Sequence, residues 1–161
     1  MSAVKKLAVV VAALAVMAMA LCACGGGGGS AKGANCEVTS AKYVDSIQVD
    51  SISYSWEDGD ILELVFDVTA NGNFDLSGVE GENDRAKIYK VVADSCTLTN
   101  GGEEVSAAYG YWPKEATGNT AKDMTLFYVV PKGTDLSALT FTLDGKALGD
   151  DSYKFTYTPS K

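Results

Sequence analysis

Four cysteines and no histidine set the chemistry open to this 161-residue chain. Without an imidazole, Ser-His-Asp and Cys-His nucleophilic arrangements are closed to it, as are zinc sites with histidine ligands and histidine-based pH switching. A pair of carboxylates can hydrolyse a glycosidic bond when held roughly 5–9.5 Å apart. The acids gather in two places, Asp58 with Asp60, and Glu80 and Glu82 with Asp84. A Ser-Lys pair is the other conceivable nucleophile, and neither arrangement leaves a sequence signature. Oxygen-rich loops also hold calcium. Glu80-Gly81-Glu82-Asn83-Asp84-Arg85, however, has Arg85 where a calcium loop needs its glycine, so it reads as an ordinary solvated loop. No metal, cofactor or catalytic residue is expected.

The third cluster is Tyr109, Tyr111 and Trp112, just before Pro113. Tyr109 and Tyr111 fall on one face of an extended segment, which fits either a core stripe or an exposed platform. Tyrosine and tryptophan combine apolar area with a polar tip, so an exposed set is suited to stacking on a sugar ring or anchoring a protein partner. The small residues Ala107, Ala108 and Gly110 would leave a ligand room to approach.

Two of the cysteines close an N-terminal segment built for export. Lys5 and Lys6 are its only charges, Leu7 to Leu21 is an unbroken apolar run of 15 residues, and Leu21-Cys22-Ala23-Cys24 follows. A basic start, a short apolar core and a small-residue exit are the parts of a signal peptide. The exit resembles a bacterial lipobox, in which the cysteine thiol takes a diacylglyceryl group and becomes the new N-terminus. Cys24, with Ala23 before it, is the expected lipidation site; Cys22 would need bulky Leu21 at that place. Two other readings compete. Ala18-Met19-Ala20 matches an ordinary secretory cleavage site, and the run could be a retained span, although spanning needs about 20 apolar residues.

The remaining cysteines, Cys36 and Cys96, belong to the body of the protein. Export permits a disulfide between them. The competing reading is two separate buried thiols, since free cysteine packs like a small hydrophobe.

Cleavage before Cys24 would leave 138 residues, enough for one domain with a sizeable core. Two of the 13 basic side chains and none of the 21 acidic ones lie in the signal, so the rest carries a formal charge of −10. Such a surface repels phosphate backbones and anionic headgroups, so nucleic acid is not an expected partner and the body stands off the membrane. The same charge also serves simply to keep a secreted domain soluble. Gly25 to Gly29 and the six residues after them read as a flexible linker spanning roughly 18 Å. The expected organisation is therefore a signal over 1–23, a lipidated cysteine and linker over 24–35, and a folded domain over 36–161.

From Glu37 onward the period of the pattern is two. Ile52, Tyr54 and Trp56 alternate with Ser53 and Ser55, as in a half-buried strand, and a parity slip after Val49 suggests a bulge. Ile61 to Ala70 is the strongest strand, with Leu62, Leu64, Phe66 and Val68 inward and a mixed, partly wet outer face. Asn71 to Asp84 reads as a long loop, and Lys87 to Thr99 as strand. Asn100-Gly101-Gly102 is a hairpin turn leading into a strand over Glu104 to Trp112. Pro113 to Lys122 reads as loop, and Met124 to Val130 as a strand stopped by Pro131. Leu139 to Leu143 and Lys154 to Thr158 complete the set, with one helical turn at most near Asp135. Seven or eight short strands without alternating helices predict an all-β antiparallel sandwich.

Several phrases of the chain are similar to the immunoglobulin-like domains of lipoproteins from Gram-positive bacteria. They are the lipobox with Gly25 to Gly29, Glu37-Val38-Thr39-Ser40-Ala41, and Leu62-Glu63-Leu64-Val65-Phe66-Asp67-Val68. Further on stand Leu98-Thr99-Asn100-Gly101-Gly102-Glu103-Glu104-Val105 and Val130-Pro131-Lys132-Gly133-Thr134-Asp135-Leu136. The resemblance covers most of residues 36–145. It implies an immunoglobulin-like β-sandwich held by a lipid on the outer face of the cell membrane. It carries over no catalytic residue, and the cysteine pair is not a mark of such domains. The expectation is an envelope binding module for a protein or cell-wall glycan; the alternative is a small glycan-acting enzyme using paired carboxylates.

Overall fold

The computed structural model describes residues 33–160. The export segment, Cys22 and Cys24 lie outside the described residues. The chain is mostly β, in antiparallel sheets, and its longest strands are those with the clearest alternation. Strand β1 is Asn35–Val44, β2 Ile47–Val49, β3 Ile52–Tyr54 and β4 Gly59–Thr69. Helix α1 is Asp84–Ala93. Then come β5 Cys96–Asn100, β6 Glu103–Val105, β7 Ala107–Tyr111, β8 Glu115–Thr117 and β9 Thr120–Pro131. Strands β10, Leu139–Asp144, and β11, Lys154–Tyr157, finish the chain.

One sheet runs β1-β4-β9-β7, with β8 also on β9; a second runs β11-β10-β5-β6. The two share one core. Leu62, Leu64, Phe66 and Val68 from β4 and Met124, Leu126, Tyr128 and Val130 from β9 meet Leu98, Leu139, Phe141 and Leu143 from the other sheet. The Phe66 and Phe141 rings touch across the layers, centroids 5.4 Å apart. Alternation explains this directly, because every second residue of a strand points to the same side. The outer side of β4 is mixed as expected, with Glu63 facing Lys42 of β1 at 3.2 Å. A register shift between Phe66 and Val68 is pinned by Asp67, whose Oδ1 accepts the Asp123 N–H at 2.8 Å while Asp123 turns through φ +55°.

Helix α1 departs from the strand read over Lys87 to Thr99; only the last four of those residues, in β5, are strand. Asn83 caps the helix, its side chain accepting the Ala86 N–H at 3.0 Å. Such a cap satisfies one of the orphan N–H groups of a first turn. Ile88 and Val92, four residues apart, are then buried on one face against the core, and Ala86 is buried as well. The β-branched residues that suggested a strand are tolerated because they fill the core. Among the described residues there are eleven strands, more than the seven or eight expected, and four of them are only three residues long.

The parity slip after Val49 is a hairpin turn and not a bulge. Asp50 sits at φ +54°, Val49 pairs with Ile52, and β2 and β3 form a two-stranded sheet of their own. This hairpin lies on the outer face of the larger sheet, where Ile47 packs with Ile61 and Phe127. Phe127 is thus buried although it points away from the main core.

Gly110 fixes how α1 meets β7. A Cβ there would lie 2.3 Å from Tyr89 Oη and 2.7 Å from the Thr125 carbonyl oxygen. The space that the sequence offered to a ligand at Gly110 is therefore filled by Tyr89. Gly110→Ala is expected to destabilise the domain by about 1–3 kcal/mol, the cost typical of overpacking. A urea midpoint unchanged from wild type would show that the two elements separate freely.

Candidate functional site

The exposed large apolar side chains are Ile52, Tyr54, Trp56, Tyr109, Tyr111 and Trp112, each between 36% and 57% accessible. The core-stripe reading of Tyr109 and Tyr111 therefore does not hold; both are surface residues. They stand opposite Phe127 and Thr125 of β9 on the outer face. Their rings meet edge to face at 5.6 Å, and Tyr111 meets Phe127 in the same way at 5.2 Å.

Tyr111 also ties the hairpin down, since its hydroxyl donates to the Gln48 carbonyl of β2. Burial, and Tyr109 beside it, push the Tyr111 phenol above its ordinary pKa. It therefore stays a neutral donor across the physiological range.

Between hairpin and β7 lies a groove of about 290 Å³ lined by Ile47, Val49, Tyr54, Trp56, Ala108 and Tyr109. Two features build it. The β2–β3 hairpin sits over Phe127 and presents Tyr54 and then Trp56, while β7 presents Tyr109 with the small Ala108 beside it. Of the predicted aromatic cluster the groove takes Tyr109; Tyr111 braces it, and Trp112 neither lines it nor contacts the other two rings. Sequence reasoning placed Tyr54 and Trp56 on the buried side of a strand. The structure exposes both, because a strand of three residues with nothing packed over it cannot cover them. The signal was present in the Asp50 turn and the Glu57-Asp58-Gly59 turn, which leave too few residues between them for a core strand.

The acids do not assemble. Asp60 Oδ2 accepts the Gly133 N–H at 2.7 Å and so holds the loop after β9. Asp58 is exposed at the same end of β4, whereas Glu80, Glu82 and Asp84 follow its other end. Asp84 is the one carboxylate on a second cavity, of about 230 Å³, lined also by Asn73, Phe74, Leu76, Ile88, Ala116 and Gly118.

Cys36 is buried and Cys96 half-buried, both as thiols, and they sit in facing sheets around the same core. The Cys36 N–H donates to Tyr153 Oη at 2.7 Å. Burial raises the pKa of both thiols, with Asp67 and Glu37 adding to it at Cys36. Cys36 in turn adds to it at Cys96. Such thiols are poor nucleophiles.

Among the described residues no helix is long and apolar enough to cross a membrane. No protein-family model matches the chain, and no curated protein does. Among solved structures, the candidate lipoprotein ycdA of Bacillus subtilis subsp. subtilis str. 168 is similar at 16% identity and a TM-score of 0.42. The match covers 79% of this chain and 37% of that one, so the chain spans little more than a third of that protein's length.

Proposed function

We propose that this chain is a lipid-anchored binding module of the bacterial cell envelope, and that it binds through the groove between the β2–β3 hairpin and β7. The observation that carries this reading is the convergence of exposed Tyr54, Trp56 and Tyr109 on one concave surface. Monomeric proteins seldom leave such rings together in water without using them. The lipobox supports the anchor, with Cys24 as the acylated residue. The facing antiparallel sheets support an immunoglobulin-like sandwich, and the Cys36–Cys96 pair is read as an inter-sheet disulfide. The module has no catalytic step.

A photoreactive residue in place of Trp56, in living cells, tests the binding surface. Exposed Lys146, on the turn after β10, serves as the control position. The expected result is an adduct at Trp56 that is absent at Lys146. Equal or no capture at both positions would remove the groove as a binding surface.

A further inference from the structure

The groove's lining and its rim point to different properties of one ligand. The lining is three aromatic side chains with Ile47, Val49 and Ala108, and it contains no carboxylate and no side-chain amide. Tyr54 and Trp56 make no ring–ring contact among the described residues, and both are exposed. The rim is acidic. Asp45, Asp50, Glu57 and Asp58 all lie within two positions of a lining residue, all are exposed, and no lysine or arginine lies within that reach. From Tyr43 to Asp84 the chain has no basic residue at all. One cation reaches this rim, Lys132, whose Nζ donates to the Glu57 carbonyl at 3.2 Å, and the four acids remain in excess over it; Lys42 pairs with Glu63.

Resting on the groove as the binding surface, we infer that its ligand is a small solute carrying a quaternary ammonium group. A cation is drawn by the four carboxylates and held over aromatic faces by the ring quadrupoles. The apolar lining decides which cation. A primary ammonium or a guanidinium brings N–H donors that must find acceptors once water is lost. A sugar brings hydroxyls with the same requirement. A quaternary ammonium has no N–H, so it enters an acceptor-poor groove without leaving a donor unpaired. The volume, at the lower end of the roughly 300–1,000 Å³ of small-ligand pockets, suits a group of this size.

The test uses the folded domain with Trp112→Phe, which leaves Trp56 as the one tryptophan reporter. Choline is titrated against Trp56 fluorescence beside its neutral isostere, 3,3-dimethylbutan-1-ol, and beside phosphatidylcholine vesicles at equal headgroup concentration. Choline is expected to give a saturable change, with the isostere at least about tenfold weaker and the vesicles inert. Tyr109→Ala, checked for an unchanged thermal midpoint, should weaken choline binding by about tenfold. Equal response to the isostere would overturn the need for charge, and response to vesicles alone would overturn the solute. No response to any of the three would overturn the inference outright. That silence together with a Trp56-specific adduct in cells would overturn the inference while leaving the binding module standing.

Discussion

Reduction is expected to lower the stability of the mature domain by about 4 kcal/mol. This is the chain-entropy value for a cross-link between Cys36 and Cys96, 60 positions apart. Forming the bond takes two protons and two electrons from the thiols, supplied as reducing equivalents to an external disulfide oxidant of the export compartment. Against a total of about 5–15 kcal/mol for a domain of this kind, that is a large share. The measurement is a urea midpoint with and without reductant, and a Cys36→Ala/Cys96→Ala double variant should match the reduced protein. Alkylation of the native protein is uninformative, because burial keeps both thiols protonated well above neutral pH. Alkylation in denaturant without reductant decides the matter by mass. No uptake means the bond is present; two adducts mean that the pair is two packed thiols and the 4 kcal/mol is absent.

Cys24→Ser is expected to abolish incorporation of labelled palmitate completely, and Cys22→Ser to leave it intact. A serine hydroxyl cannot form the thioether, and Cys22 has bulky Leu21 where the motif wants a small residue. Each buried CH₂ contributes about 0.8 kcal/mol, and one chain alone holds only marginally, so a diacylated cysteine is the smallest stable anchor of this type. Loss of label in Cys22→Ser alone would transfer the site. Label retained in both single variants would remove the lipobox reading.

How far the sequence carried differs from element to element. Alternation in Leu62 to Val68 named the inward and outward faces of β4 correctly, because this strand is long enough for period two to dominate. Helix α1 was hidden for a physical reason. Lys87-Ile88-Tyr89-Lys90-Val91-Val92 favours strand locally, and only the Asn83 cap and the burial of Ile88 and Val92 together favour helix. Asn83 stands in a run of glycine, asparagine and acids that reads equally well as loop. The groove was half legible. The small and aromatic residues of β7 marked one wall, but alternation at Tyr54 and Trp56 shows only that two faces exist. Whether anything packs over a face is decided by chain that lies far away in sequence, here the outer side of β9.

The separate ladder of the β2–β3 hairpin has a consequence for how the molecule breathes. Its amides bond to one another and to neither large sheet, and two strands alone are marginally stable in water. What fastens it is Ile47 on Phe127 and the Tyr111 hydroxyl on Gln48. The hairpin can therefore lift as a cooperative unit of its own, exposing its amides to exchange while β4 and β9 stay protected. One wall of the groove is then a gate with a private equilibrium, and whatever settles between Trp56 and Tyr109 tightens that gate without stiffening the sandwich behind it.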